Sequence, residues 1–246
     1  MTDADARELV SVDGADTHRA KFMRFIHSPW LDPFKFIPGH KMKGFSERKD
    51  LIFIGDGSSV SDVHAIRWYI HMVAPEVEKG VPGIKLNIVG DNWDHLAKAH
   101  SSSTLVFHGR PKSTEAIANL LGTLRAYISP FRTSTGVNVN NVVAMGMGLP
   151  VITTPAGATG MCKVCDYIVT YNPMDPFTNK SSRHGDDDVP LLMARDVYDF
   201  SSKIKHVYYD EQNWKWYSSM GYAHVNNWFN KKEGAREIDE ILRGIF

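Results

Sequence analysis

The residues best suited to chemistry lie in the loop PFRTSTGVN, at positions 130–138, which leads into an apolar segment. Gly136 has no side chain to hinder a ligand, and the backbone N–H groups of Gly136, Val137 and Asn138 should point out of the start of a helix. Because a helix start carries about half a positive charge, these groups can hold phosphate without a lysine. Arg132 can add a forked, charge-assisted contact. The loop therefore predicts an anion site suited to a diphosphate.

The same loop has a simpler interpretation, in which no ligand is involved. Ser134 or Thr135 would cap the helix that follows, and Arg132 would be solvated. The loop alone does not separate these two interpretations, so its neighbours in the fold must do so.

A second loop of small residues, GDGSSVSD at positions 55–62, follows a short apolar run. It lacks the G-x-G-x-x-G pattern of a dinucleotide site, and no G-K-[ST] of a P-loop occurs anywhere in the sequence. NAD binding and ATP hydrolysis are therefore disfavoured. Asp91 can contact a ribose hydroxyl, but a turn formed with Asn92 is the favoured explanation of that residue.

Both loops belong to a chain in which strands and helices alternate. Six apolar runs are typical of strands buried on both faces, and they span residues 51–55, 84–90, 104–109, 125–131, 150–154 and 166–171. This alternation predicts an α/β fold with a doubly wound, parallel six-stranded sheet of the Rossmann-like kind. In the common strand order 3-2-1-4-5-6, the loops after strands 1 and 4 meet where the winding reverses. These are the two small-residue loops, so we expect them to form one site.

The ends of the chain have a different character from the sheet. Prolines punctuate the first 45 residues, which predicts a connecting or docking segment over 1–45 and a folded domain over 46–246. After the sheet, long helices are predicted over 189–211 and 213–243. We expect their aromatic residues to pack in the core rather than to form a ligand box.

The composition excludes several classes of function. The chain of 246 residues is 43% apolar and has 28 basic and 28 acidic residues, so it has no global positive field for nucleic acid. It has no apolar run long enough to span a membrane, and its acidic start is unlike a signal peptide, which predicts a cytoplasmic protein. Cys162 and Cys165 form a single C-x-x-C, for which two ordinary thiols are favoured over a redox pair or half a zinc site.

Several segments together resemble the carboxyl-terminal, nucleotide-sugar-binding domain of family 4-like (group 1) glycosyltransferases of the GT-B fold. The similarity covers about residues 45–172 and depends on the segments FIGDGSSVSDVHAIRWYIHMVAPEVEKGVPGIKLNIVG, VFHGRP, YISPFRTSTGVNVNNVVAMGMGLPVITTPAGATG and DYIVTY, in that order. The preceding segment DPFKFIPGHKMKGFSERKD is similar to the connector that enters this domain.

The resemblance implies a site for a nucleoside diphosphate sugar, with no metal and no other cofactor. The base of the donor would lie near His108 and Arg110. Its diphosphate would lie on the helix start from Gly136 to Asn138, near the loop that contains Gly55 and Gly57.

The sequence also departs from the family pattern at charged positions. Two glutamates of the family, one near the donor sugar and one on the ribose, are replaced here by Thr135 and Val143. The basic residues that follow strand 1 in the family are missing, and that loop has Asp56 and Asp62 instead. A helix position that is often lysine is Asn140.

The resemblance implies the donor-binding half of a retaining glycosyltransferase that acts on a glycan or another hydroxyl acceptor. The fold needs an amino-terminal domain, so we expect a missing or separate partner domain. A non-catalytic nucleotide- or sugar-binding or scaffolding module is the alternative, and an epimerase or hydrolase of the same architecture is less favoured. His64 and His71 are expected to be surface or packing residues, His108 a base or sugar contact, and no catalytic residue is assigned.

Overall fold

The computed structural model describes residues 43–100, 102–133, 136–161 and 190–229. Predictions for the other residues, among them most of the connector, Thr135, both cysteines and the strand at 166–171, lie outside this part of the chain. The centre is a parallel sheet with the order β3-β2-β1-β4-β5-β6. Its strands are β1 Lys49–Ile54, β2 Leu86–Val89, β3 Leu105–Gly109, β4 Leu124–Ser129, β5 Val151–Thr153 and β6 Leu192–Met193. The predicted fold is confirmed, and so is the predicted order of the first five strands.

Helices connect the strands and cover both faces of the sheet. They are α1 Val60–Trp68, α2 Ala74–Gly80, α3 Asp94–Ala99, α4 Thr114–Leu121, α5 Val139–Gly146, α6 Val197–Tyr209 and α7 Glu211–Trp228. A π turn, Tyr69–Val73, joins α1 to α2, and short 3₁₀ turns lie at Phe45–Glu47 and Ala156–Ala158. The side chain of Ser113 caps α4 by accepting a hydrogen bond from the N–H of Ala116.

Alternate residues of the central strands enter two separate cores. Leu51 and Phe53 of β1 are buried with α1, α2 and α6, whereas Ile52 is buried on the other face with α4 and α5. Such burial on both faces explains why the strands have continuous apolar sequences rather than an alternating pattern. The parallel pairing of the strands places all of their carboxyl ends at one edge of the sheet.

The sixth strand corrects the prediction of a helix from residue 189. Leu192 pairs with Ile152 of β5, and α6 begins only at Val197, where the side chain of Asp196 accepts a hydrogen bond from the N–H of Asp199. A strand of two residues gives no periodic signal, so the sequence pattern of the following helix was extended through it.

At the amino edge of the sheet, Arg125 holds the residues before β1 against the last two helices. Its guanidinium donates hydrogen bonds to the carbonyls of Phe45, at 2.8 Å, Arg48, at 3.0 Å, and Tyr208, at 2.6 Å. The carbonyl of Arg125 in turn accepts the indole N–H of Trp214 at 2.7 Å. One side chain therefore connects the entry segment, β4, α6 and α7.

Arg48 is itself only 1% exposed, so two guanidinium groups are buried side by side. Burial, and then the charge of Arg125, lowers the pKa of Arg48 to about 10. Among the described residues neither arginine has an ion pair, and their partners are backbone carbonyls.

Candidate functional site

Loops at the carboxyl ends of β1, β4 and β5 surround an open cleft of about 240 Å³, which we call the α5 cleft. It is lined by Ser59, Ser61, Asp62, Phe131, Thr133, Gly136, Val137, Asn138, Val139, Asn140, Ala156 and Gly157. The loop after β1 and the loop after β4 thus meet on one cavity, as the strand order predicts.

The start of α5 forms one wall of this cleft and differs in detail from the prediction. The helix begins at Val139, just after the residues Gly136 to Asn138 that the sequence places at its start, and Asn138 is its cap. The Asn138 side chain accepts a hydrogen bond from the N–H of Asn140 at 3.0 Å. The alternative cap at Ser134 or Thr135 is therefore wrong, because Asn138, which has an extended backbone, caps the amino-terminal start of the helix. The N–H groups of Asn138 and Val139 lie at the start of α5, where the first N–H groups have no carbonyl partner within the helix.

Gly136 is required by its backbone conformation. Its φ is +115°, which side chains rarely adopt, and a Cβ atom added there would meet no atom within 4 Å. The residue lines the α5 cleft, so a side chain at this position would have space only where a ligand would otherwise lie.

Two asparagines fasten α5 to the neighbouring loops, and the sequence analysis gave neither a structural role. Asn140 donates from Nδ2 to the carbonyl of Ile54, at the end of β1, at 3.0 Å. The fully buried Asn141 donates to the carbonyl of Gly157 at 2.8 Å. Together they hold the three loops of the cleft at fixed distances. Two consecutive amides within an apolar segment are the signal that could have identified them.

Gly55 and Gly57 do not line the α5 cleft, and the structure gives both a packing role. The N–H of Gly57 donates to the carbonyl of Asp91 at 2.8 Å, and a Cβ atom on Gly57 would lie 2.1 Å from the carbonyl oxygen of Asn92. A Cβ atom on Gly55 would lie 2.5 Å from the ring of Phe53. These glycines let the loop after β1 pack on its neighbours, and contact with a ligand stays a prediction.

The charge within the α5 cleft is negative. Asp62 lies on its wall and accepts the N–H of Asp56 at 2.7 Å, and burial is the main cause that raises the pKa of its carboxyl. Asp56 is instead held outside the lining, where its carboxylate accepts hydrogen bonds from Asn92 at 2.9 Å and Ser58 at 2.8 Å. These bonds, that from Asn92 first, lower the pKa of Asp56 to about 2. No lysine or arginine is among the described residues that line this cleft.

We expect Asp62→Asn to strengthen the binding of an anion such as UDP. The amide oxygen can still accept the loop hydrogen bond, and removal of one charge within a few ångströms of a phosphate is worth about 1 kcal/mol, or about fivefold in affinity. Because the pKa of Asp62 is raised, the wild-type carboxylate loses its charge at a higher pH than usual, and the advantage of the variant should shrink as the pH falls from 7. Calorimetry at several pH values measures this, with Asp94→Asn on α3 as the control. An equal affinity of wild type and variant at pH 7 would contradict it.

His108 and Arg110 lie at the end of β3, apart from the α5 cleft. The Asn87 amide donates to the carbonyl of Leu51 at 3.0 Å, so its oxygen faces His108 Nε2 at 2.8 Å, and that nitrogen must carry the proton. Burial lowers the pKa of His108, which leaves a neutral ring with Nδ1 as an acceptor. Arg110 Nε lies 2.7 Å from Asp91 Oδ2 in an exposed ion pair, so Asp91 has a partner beyond the predicted turn.

Arg132 is directed away from the start of α5. Its guanidinium carbon lies 5.4 Å from the ring centroid of Trp68, and the side chain lines a second, larger cleft of about 590 Å³, which we call the Arg132 cleft. This cleft is lined by Trp68, Met72, Phe131, Arg132, Thr133, Thr154, Pro155, Ala156, Arg195, Asp196 and Val197. The contact of Arg132 with a diphosphate therefore stays a prediction.

Neither a metal centre nor a membrane span is found in the part of the chain that the structure describes. No three or more His, Cys, Asp and Glu side chains are grouped there so that they could hold a metal ion. None of the helices there has the length and apolarity that crossing a membrane requires.

Comparison with solved structures shows which folds the chain is similar to. A mutant of S. aureus TarM in complex with fondaparinux, alpha-GlcNAc-glycerol and UDP has a TM-score of 0.66 and 13% identity, over 98% of this chain and 42% of that one. Anabaena HepE in complex with UDP has a TM-score of 0.65 and 13% identity, over 99% and 62%. WaaG, a glycosyltransferase involved in lipopolysaccharide biosynthesis, has a TM-score of 0.63 and 12% identity, over 98% and 61%. At these identities the likeness concerns the fold, which is that of GT-B glycosyltransferases.

Sequence comparison gives one curated relative and a family. The "Uncharacterized 44.6 kDa protein in cps region" of Klebsiella pneumoniae is 24% identical over 158 residues, which are 62% of this chain and 39% of that protein. The matched region thus spans about two fifths of the relative's length. The model of the family "Glycosyl transferases group 1" matches residues 48–208, which is more than half of the chain. The protein therefore belongs to the group 1 glycosyltransferases.

Proposed function

We propose that this domain binds the nucleoside diphosphate sugar of a retaining glycosyltransferase, which transfers the sugar to a glycan or another hydroxyl acceptor. The observation that carries the proposal is the α5 cleft, where the capped start of a helix, an open glycine and the ends of three strands meet. UDP in complex with TarM and HepE supports the same class of donor.

The geometry suggests how such a donor would be activated. When the sugar leaves, negative charge increases on the diphosphate, and fixed N–H groups with the dipole of α5 stabilise that charge without having to reorganise. The amides of Val137 to Val139 would do this in a cleft that Asn140 and Asn141 keep rigid. That no metal ion takes part stays a prediction from the sequence.

Calorimetric titration with UDP, GDP, ADP and TDP, and then with their sugars, tests the proposal. We expect one nucleoside diphosphate to bind with a Kd in the micromolar range, about −8 kcal/mol. A chain that is folded by circular dichroism and binds none of them would reject the donor site.

A second candidate, a non-catalytic module of the same fold, is favoured by one observation. Val143 takes the place of a family glutamate and is 9% exposed within the apolar core, so it offers no hydrogen bond to a ribose. The cleft also carries the charge of Asp62 with no cation in its described lining. The absence of nucleotide binding in the same titration would leave this candidate standing.

The predicted role of Arg132 can be tested separately. If its guanidinium reaches the diphosphate, as the sequence predicts, Arg132→Ala weakens UDP binding by about 1.5–3 kcal/mol, the usual worth of a hydrogen bond to a charged group. Calorimetry with Arg67→Ala as a control on the neighbouring helix measures the loss. An unchanged Kd for UDP would mean that Arg132 does not contact the diphosphate and acts only in the Arg132 cleft.

Three expectations from the sequence stay predictions. They are the division into a connector over 1–45 and a domain over 46–246, a separate or missing amino-terminal partner domain, and action in the cytoplasm. The chain covers 42% of TarM and 62% of HepE, so it spans only part of the length of these structures.

A further inference from the structure

The Arg132 cleft lies beside the α5 cleft and opens at the same edge of the sheet. Its walls are the loops after β4, β5 and β6 on one side and Trp68 and Met72 on the other. The two clefts share Phe131, Thr133 and Ala156, so a ligand in one would be separated from a ligand in the other by a single layer of side chains. Its volume of about 590 Å³ lies within the range of about 300–1,000 Å³ that is common for small-molecule sites.

The charge of this cleft is opposite to that of the α5 cleft. Arg132 and Arg195 both line it, and neither has an ion pair with the residues that the structure describes. The one carboxylate of the lining belongs to Asp196, which accepts the N–H of Asp199 at 2.8 Å as the cap of α6. The described lining therefore has two guanidinium groups and one carboxylate, which already accepts the N–H of Asp199, and so it has an excess of positive charge.

The position of Arg132 is fixed by an aromatic ring rather than by an acid. Its guanidinium lies 5.4 Å from the centroid of Trp68, a distance at which a cation and a ring attract each other. Trp68 is itself held edge-on against Phe200 at 5.7 Å. The planar donors of Arg132 therefore remain available for an anion, and the apolar atoms of Trp68, Met72 and Pro155 can contact the C–H face of a sugar.

We propose that the Arg132 cleft binds a carboxylate or phosphate group of an acidic acceptor saccharide. The inference rests on the proposed function, because a donor in the α5 cleft is what makes the adjoining cleft an acceptor site. Forked guanidinium groups match the two oxygens of either anion, whereas a neutral saccharide would leave both arginines without a counter-charge. The enzyme would therefore select acidic over neutral acceptors.

The indole N–H signal of Trp68 reports on this cleft in a ¹H–¹⁵N NMR titration of the full chain. The probes are trigalacturonic acid for a carboxylate, mannose 6-phosphate for a phosphate, and maltotriose as the neutral control. We expect at least one acidic probe to shift the signal at millimolar concentration and maltotriose to leave it unchanged. The acidic probe that binds identifies the kind of anion.

Arg195→Gln is the decisive variant because Arg195 does not line the α5 cleft. We expect Arg195→Gln and Arg132→Gln each to lower the affinity for the acidic probe about tenfold or more, as for the loss of a charge-assisted hydrogen bond. Arg67→Gln is the control and should keep the affinity of the wild type. The affinity of Arg195→Gln for UDP should stay within about twofold of wild type, because Arg195 is not among the residues that line the α5 cleft. Thermal unfolding of each variant shows that it is folded.

The outcomes separate the two proposals. An equal response to acidic and neutral probes, or acidic binding that does not depend on Arg195, overturns the inference while UDP binding still supports the donor site. If the chain binds no nucleotide but binds an acidic probe in a way that depends on Arg195, the anion site is supported and the proposed function is rejected. The saccharide could then no longer be assigned as an acceptor.

Discussion

Gly136→Leu should abolish the binding of a nucleoside diphosphate, with a loss of about 100-fold or more, which corresponds to about 2.7 kcal/mol. The side chain would occupy open space on the wall of the α5 cleft, where a Cβ atom meets nothing within 4 Å. The fold should survive, because the φ of +115° costs a leucine about 1–3 kcal/mol of strain and its Cβ atom meets no other atom. Calorimetry with UDP and thermal unfolding measure the two effects.

Gly83→Leu is the matched control for that strain. Gly83 has a φ of +74° and likewise no atom within 4 Å of an added Cβ atom, but it lies between α2 and β2, away from the cleft. Both variants should lose similar stability, and only Gly136→Leu should lose UDP. If Gly136→Leu keeps its affinity for UDP, the proposal that the diphosphate binds at the start of α5 is wrong.

Gly57→Ala should destabilise the whole domain by about 3 kcal/mol, which lowers Tm by about 6–12 °C for a domain of this size. The added Cβ atom would lie 2.1 Å from the Asn92 carbonyl oxygen, and the neighbouring atoms are backbone, which cannot move without separating the ends of β1 and β2. Urea or thermal unfolding followed by circular dichroism measures the loss.

The control for this variant is Gly44→Ala. At Gly44 the nearest atom to an added Cβ is 3.9 Å away, and its φ of −72° suits any residue, so stability should change little. The pair also separates two roles for Gly57. A stable Gly57→Ala that has lost UDP would make it a ligand residue, whereas an unstable variant supports the packing role.

The general architecture could be predicted because it follows from patterns that repeat along the chain. Continuous apolar runs such as residues 51–55 mark strands buried on both faces, and their alternation with helices leaves few possible windings. The meeting of the loops before Val60 and before Val139 follows from strand order alone. No side-chain contact had to be known for it.

The parts that the sequence did not predict depend on contacts that no local pattern contains. Leu192–Met193 is a strand only because Ile152 is beside it, and a run of two residues cannot be told from the start of a helix. Asn138, rather than a hydroxyl residue, caps α5 because the backbone is extended at that point. The direction of Arg132 is set by Trp68, more than 60 positions earlier in the chain, and only the folded structure brings the two together.

The hydrogen bonds that Arg125 donates should depend little on pH. Its bonds run from guanidinium N–H groups to carbonyls of Phe45, Arg48 and Tyr208, and neither kind of group changes protonation between about pH 4 and pH 9. If Arg125 were instead paired with a carboxylate, the interaction would weaken when that carboxylate took up a proton. The entry segment should thus stay attached to the closing helices in weakly acidic and weakly basic solutions alike, even while Asp62, on the opposite edge of the sheet, alters the charge that a donor meets.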